Sequence, residues 1–157
     1  MNKSNGTEKK ITGAENVFWN LGELFSGIDD PKVEIIIANA KLEAEKFVGK
    51  YKGKLFKLSA EELKIAYENL ESLLSPLYRL SQYSQLLFSV NTQDEEVKKL
   101  ISRVDEELSN ISNLIIFFDL ELGMLEKDIY SRLQSSKELT NYSYKVKRTY
   151  ETAKYNL

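Results

Sequence analysis

The chain has 157 residues and a formal charge of −2, from 22 Lys and Arg against 24 Asp and Glu, and it contains no His and no Cys. Those absences exclude, within this chain, zinc held by Cys or His, a His general base, a Cys nucleophile and a disulfide framework. The charge lacks the basic surplus of a dedicated nucleic-acid binder, and the longest apolar run, residues 35–38, is far shorter than a membrane span. We therefore expect a cytoplasmic protein with neither a nucleic acid nor a membrane as its partner.

The amino-terminal region divides into a polar leader and an apolar segment. Residues 1–15 are polar, with Ile11 isolated among them, and are predicted to be a disordered leader. Residues 16–25 hold the only Trp together with two Phe and two Leu, and we expect them to dock on the body of the protein. Residues 16–157 are predicted to form a single all-α domain, an antiparallel bundle of about four helices, because no strand-like alternation exceeds four residues.

The first two predicted helices have clear boundaries. Asp30 and Pro31 are typical of a helix start, and the first helix is expected to end at Gly53. The second is expected over about residues 59–90, with Ser59 as its amino-terminal cap in a capping box. Pro76 lies in its middle and leaves two alternatives. Either one helix kinks there as a near-continuous pair, which the unbroken apolar register favours, or Ser75 and Pro76 start a new helix.

The third predicted helix is the second long one and spans about residues 93–125. Thr92 and Glu95 predict its capping box. At ~1.5 Å per residue each long helix approaches ~45 Å, and the short polar connection between them requires an antiparallel pair. Residues 115–118 are apolar all round, so this half is expected to be covered on more than one side. Shorter helical stretches follow, over residues 127–133 and along a stripe from Leu139 to Tyr150.

Acidic residues are the first candidates for chemistry, and none is predicted to be catalytic. A di-iron bundle needs two Glu-x-x-His motifs, which a chain without His cannot supply. Asp119 and Glu121 either face a buried surface or lie on a polar edge or beside a Lys or Arg, and the second interpretation is favoured. The consecutive acidic residues 105–107 point in three directions, which favours a solvated face over a metal cup. Gly22 and Gly27 lack the Gly-Lys-Ser/Thr sequence that a P-loop requires. We therefore predict no catalytic, cofactor-binding or metal-binding residue.

Tyrosines interleaved with cations near the carboxyl end form the second candidate. The tyrosines are Tyr142, Tyr144, Tyr150 and Tyr155, and the cations are Lys145, Lys147, Arg148 and Lys154. Such mixtures can stack on single-stranded nucleic acid. The spacing of Tyr142, Val146 and Tyr150 is that of a helix facing a core, and this structural interpretation is favoured.

Five short motifs in order resemble the amino-terminal region of oligoendopeptidase F-like proteins, a branch of the thimet-type zinc metallopeptidases. They are residues 19–25 (Trp-Asn-Leu-Gly-Glu-Leu-Phe), 51–55 (Tyr-Lys-Gly-Lys-Leu), 83–94 (Tyr-x-x-Leu-x-Phe-Ser-x-Asn-Thr-x-Asp), 117–122 (Phe-Phe-Asp-Leu-Glu-Leu) and 139–144 (Leu-x-x-Tyr-x-Tyr). Asn91 and Asp119 stand where the family more often has Asp and Glu. The resemblance covers about residues 17–157.

The resemblance implies a non-catalytic amino-terminal lobe of a larger peptidase. Members of the family bind zinc through His-Glu-x-x-His and a further Glu, none of which this chain contains, so zinc is implied for the parent enzyme alone. The implied partners are a carboxy-terminal catalytic domain and short peptides, and the implied role is a channel wall that admits only short or unfolded peptides. We also expect an exposed apolar patch beside the second half of the third helix or the Tyr-rich end. The alternative is a stand-alone helical bundle that binds a partner helix or self-associates.

Overall fold

The computed structural model describes residues 25–153, and the predicted leader and most of the Trp-containing segment lie outside that range. The described part is helical and contains no strand, which confirms the predicted all-α class for these residues. Its α-helices are α1 (Pro31–Tyr51), α2 (Ala60–Val90), α3 (Glu95–Ile115), α4 (Phe117–Gly123), α5 (Lys127–Gln134) and α6 (Ser143–Ala153). Two 3₁₀ segments, Leu55–Lys57 and Lys137–Tyr142, precede α2 and α6.

Side-chain caps start α1 and α2 where the sequence predicts them. The buried Asp30 carboxylate accepts hydrogen bonds from the Lys32 amide at 2.9 Å and the Ser26 amide at 2.8 Å. These amide bonds hold the pKa of Asp30 below its usual value. At α2, the Glu62 amide donates to the Ser59 hydroxyl and the Ser59 amide donates to the Glu62 carboxylate, which completes the capping box. Helix α2 then continues through Pro76 as one element, so no new helix starts at Ser75.

The start of α3 differs from the prediction. Asp94, not Thr92, is the amino-terminal cap, because its carboxylate accepts hydrogen bonds from the amides of Glu96 and Val97. Thr92 lies in the turn before the helix, where the Gln93 amide donates to the Asn91 side chain. The predicted capping box at Thr92 is therefore wrong, and the helix begins two residues later than expected.

The third predicted helix is also interrupted at Ile116, which separates α3 from α4. Ile116 keeps helical backbone angles (φ −56°, ψ −27°), so the rod carries on past the break and the chain bends only afterwards, by 99° into α5. Phe117 and Phe118 are adjacent and both buried, although neighbours on a regular helix point ~100° apart. Helix α1 covers both through Phe47, with ring centroids 6.0 and 5.5 Å away, and Tyr67 of α2 covers Phe118. This half of the rod is thus covered on more than one side, as expected.

The three long helices pack with α2 antiparallel to the other two. Ion pairs join Glu34 to Arg103 and Lys41 to Glu107, so residue numbers rise together along α1 and α3. Near the opposite ends of α2, Tyr51 accepts a hydrogen bond from Asn69, and Phe25 contacts Tyr83 with ring centroids 4.7 Å apart. Numbers therefore fall along α2 as they rise along α1. Within residues 25–153, α2 thus runs in the opposite direction to α1 and α3.

The core has two parts, one at each end of the bundle. One part lies among α1, α2 and α3 and contains Phe25, Val33, Ile37, Ala40, Ala44, Leu73, Leu77, Leu80, Tyr83, Leu100, Val104 and Ile111. The other is built from the end of α1, the start of α2 and the segments after Ile116, with Phe118, Leu122, Leu133, Leu139 and Val146 among its most buried members. Leu70 and Ile115 contact both parts. The short helices therefore close one end of a bundle of three long helices.

No single helix within residues 25–153 has the length and hydropathy of a membrane span. One strongly bent pair, Glu95–Gly123 with Lys127–Gln134, reaches that threshold by length and composition.

Candidate binding groove

A groove of about 660 Å³ runs between α2 and α6. Residues 67–82 of α2 form one wall, residues 144–149 of α6 form the other, and Asp119 of α4 lies between them. Fifteen residue steps along α2 correspond to roughly 22 Å, whereas the five steps along α6 correspond to roughly 8 Å. The part of the groove with both walls is therefore short and holds only a few residues of extended chain.

Asp119 brings a partly desolvated carboxylate to the groove. By accessible area the side chain is exposed, yet it borders two neighbouring depressions and surrounding protein atoms displace part of its water. This desolvation raises the pKa of Asp119 above its usual value, and the positive charge of Lys145 acts in the opposite direction. Because the side chain is still open to solvent, the carboxylate remains available to a hydrogen-bond donor from outside.

Tyr67 places a buried hydroxyl beside that carboxylate. Only 4% of Tyr67 is exposed, and its ring stacks on Tyr142 at 4.7 Å and meets Phe118 edge-on at 5.2 Å. Burial, and then the negative charge of Asp119, raise the pKa of the phenol, which therefore stays protonated. Its oxygen has no hydrogen-bond partner within residues 25–153. An unmade hydrogen bond of a buried hydroxyl is costly, and because this oxygen is closed to solvent, a ligand in the groove does not reach it.

The cations along the groove differ in whether they already have a partner. Lys145 is 2.8 Å from the Glu71 carboxylate, which also accepts a hydrogen bond from the Tyr142 hydroxyl at 3.0 Å. The hydrogen bond from Lys145 lowers the pKa of Glu71. Arg79 on α2 and Arg148 on α6, both exposed, make no ion pair with any residue in the described part of the chain. The groove thus presents two free guanidinium groups on opposite walls.

Glu121, the other acidic candidate, has a structural role away from the groove. Its carboxylate accepts hydrogen bonds from the Gly53 amide at 2.6 Å and the Leu55 amide at 3.4 Å. Gly53 has a positive φ of 74°, which favours glycine, and these bonds hold the turn that follows α1. Of the two favoured possibilities, a polar edge or a Lys or Arg partner, the structure shows no Lys or Arg beside Glu121 within residues 25–153, because backbone amides take that place.

Replacing Glu121 with Ala should destabilise the protein by roughly 1–3 kcal/mol. The substitution removes charge-assisted bonds to two amides and leaves the turn after α1 without its acceptor. Urea unfolding followed by circular dichroism measures the change, with Glu106→Ala as the matched control because Glu106 is exposed on α3. Equal stability of the two variants would contradict the structural role of Glu121.

The remaining candidates are distributed as the structural interpretations predict. Asp105 and Glu106 are exposed, whereas Glu107 turns inward and lies 2.6 Å from Lys41, so the acidic run has no common face. Tyr142 and Tyr150 are buried and Tyr144 is 73% exposed, while Lys154 and Tyr155 lie outside the described residues. Among residues 25–153 no cluster of three or more acidic side chains is placed to hold a metal ion. The donor set present does not fit zinc.

Replacing Asp119 with Asn should raise stability at pH 7, because the variant removes a carboxylate whose charged form folding disfavours. The pKa of Asp119 is higher in the folded protein than in the unfolded chain, so stability is lost as pH rises through the unfolded-state pKa towards the folded-state pKa. Below about pH 4 the carboxyl group is protonated in both states, and the stabilities of the two proteins should converge. The difference at pH 7 should stay under ~1 kcal/mol, since the exposed side chain is screened by water. Thermal melts between pH 3 and pH 8, with Asp105→Asn as the control, measure it. A destabilised Asp119→Asn protein at pH 7 would contradict this electrostatic account.

Comparisons of the chain with protein-family models, with curated proteins and with solved structures gave no match.

The sequence patterns do not reveal the groove. Tyr67 belongs to the apolar stripe of α2, and nothing in its spacing shows that it borders a groove. Arg79 lies off that stripe and is indistinguishable in sequence from any exposed arginine. Only the placement of α6 against α2 brings Arg79 and Arg148 to one surface.

Proposed function

We propose that the chain is the non-catalytic helical lobe of a cytoplasmic, zinc-dependent oligopeptidase of the oligoendopeptidase F type. Its groove would form part of the wall of a peptide channel and restrict substrates to short or unfolded peptides. The zinc and the residues that activate water would come from a carboxy-terminal catalytic domain, which is the proposed partner of this lobe.

One contact between motifs supports this proposal most. Glu121 belongs to the motif at residues 117–122, and the amides that it binds, Gly53 and Leu55, belong to the motif at residues 51–55. Two segments that resemble the family, about 66 residues apart, are therefore joined by hydrogen bonds to one carboxylate. This contact gives a physical reason for the two motifs to occur together in one sequence. The groove adds a depression between two helices in which part of an extended peptide would lie.

Peptide binding without cleavage tests the proposal. A labelled, unstructured nine-residue peptide should bind the pure chain in fluorescence anisotropy, and the same segment within a folded carrier protein should not. With added zinc, a quenched version of the peptide should remain uncut. If no unstructured peptide bound, the role as a channel wall would be contradicted. If a pure sample cleaved the quenched peptide and a chelator stopped the cleavage, the chain would be catalytic and the proposal would be wrong on that point.

A second candidate function is self-association or binding of a partner helix, and α4 favours it. Ile116, Leu120 and Met124 recur every four residues and are 53%, 52% and 68% exposed. This apolar stripe lies beside the second half of the third predicted helix, where an exposed patch was expected. Light scattering across a range of protein concentrations distinguishes the two functions. Self-association would be favoured if the mass of the natural protein doubled as its concentration rose while the Leu120→Glu variant stayed monomeric.

A further inference from the structure

We infer that the groove between α2 and α6 selects peptides that carry acidic side chains, with Arg79 and Arg148 as the residues that recognise the carboxylates. This inference refines the proposed function and rests on it, since it names the class of peptide that the groove prefers.

The two arginines provide the selectivity. Lys145 is already paired with Glu71, so its charge is largely satisfied within the protein. Arg79 and Arg148 have no such partner among the described residues. A guanidinium group binds a carboxylate through two parallel hydrogen bonds. A glutamine amide in place of the carboxylate cannot accept both of these bonds, and a lysine ammonium in place of the guanidinium cannot donate them in this geometry. The two arginines lie on opposite walls of the same groove, one on α2 and one on α6.

Asp119 completes the site with a group that suits a peptide backbone. Its carboxylate is an exposed hydrogen-bond acceptor in the groove. Each peptide group carries an amide donor, so an extended chain supplies a partner for it. Tyr78 and Tyr144, both about half exposed or more, give the peptide's apolar side chains aromatic surface to contact.

The small number of unpaired cations disfavours a nucleic acid as the ligand. Affinity for a nucleic acid rises with the number of phosphates neutralised, and two free arginines neutralise few. A peptide with two carboxylates needs no more cations than these two.

A pair of matched peptides tests the inference. Both are flexible nine-residue peptides with blocked termini. One carries two well-separated glutamates, and its twin carries glutamines in the same places. We expect the acidic peptide to bind roughly fivefold more tightly at low ionic strength, and this preference to shrink as salt is added. Arg79→Gln and Arg148→Gln should each reduce the preference to about twofold, and the double variant should abolish it.

Arg132→Gln is the control, because it removes an exposed arginine from α5, outside the groove. It should leave the preference unchanged, and thermal melts should show that all the variants are folded. Equal binding of the twin peptides to the groove would overturn the inference and leave the proposed function standing. Binding of neither peptide would overturn both. A loss in Arg132→Gln equal to that in Arg148→Gln, or tighter binding of a single-stranded oligonucleotide, would also overturn the inference.

Discussion

Replacing Phe118 with Ala should destabilise the protein by about 3–5 kcal/mol, the largest effect that we expect from any single substitution. Phe118 is 1% exposed, and its ring lies between Phe47 and Tyr67, with centroids 5.5 and 5.2 Å away. Its removal leaves a cavity in the part of the core that joins α1, α2 and α4. Since a domain of this size is stable by only about 5–15 kcal/mol, the loss should shift the urea midpoint strongly.

Phe56→Ala is the matched control for this experiment. Phe56 has the same side chain but is 50% exposed in the 3₁₀ segment before α2, so its loss should cost under ~1 kcal/mol. If the free energies of unfolding of the two variants differed by less than ~1 kcal/mol, Phe118 would not be a central core residue.

Replacing Gly123 with Ala should destabilise the protein by about 1–3 kcal/mol and displace α6. A methyl group at Gly123 would overlap the Cβ of Ala153, because the end of α4 and the end of α6 approach too closely for two side chains. Ala153 has no flexible side chain that can move away, so the helix itself must shift. Since α6 forms one wall of the groove, peptide affinity should fall together with stability.

Two further variants check the cause. Gly49→Ala, on the exposed side of α1, should raise stability by roughly 0.5–1 kcal/mol, because a Cβ there meets nothing and Ala is the better helix former. Adding Ala153→Gly to Gly123→Ala removes the overlapping methyl group and should restore part of the stability and the peptide affinity. A destabilising Gly49→Ala, or no rescue by the second substitution, would contradict a steric origin.

The helices that the sequence predicts correctly are those whose ends depend on local chemistry. Asp30 before Pro31, and Ser59 three residues before Glu62, satisfy free amides without help from the rest of the fold. The capping box expected at Thr92 was wrong because a better acceptor, the Asp94 carboxylate, lies two residues later and binds two amides. Where two side chains compete for the same amides, sequence spacing alone does not decide between them.

The interruption at Ile116 and the position of α6 depend on tertiary packing. Nothing in the order of apolar residues from 115 to 118 indicates a break, and the predicted helix therefore continues through it. The groove is still harder to predict from the sequence, because its shape depends on contacts between distant segments. These are the close approach of α4 and α6 at Gly123 and the ion pair between Lys145 and Glu71. The contacts of Glu121 could not be predicted from the sequence either, because its partners are backbone amides, which every residue except proline carries.

An amide chemical-shift map of the labelled chain, titrated with the acidic nine-residue peptide, locates the peptide on the protein. We expect the shifted amides to cluster in residues 67–82 of α2 and 144–149 of α6, with the rate of molecular tumbling unchanged. Shifts along Ile116, Leu120 and Met124 with slower tumbling would indicate self-association instead. That result, or a map without shifts in the groove, would contradict a peptide-binding lobe.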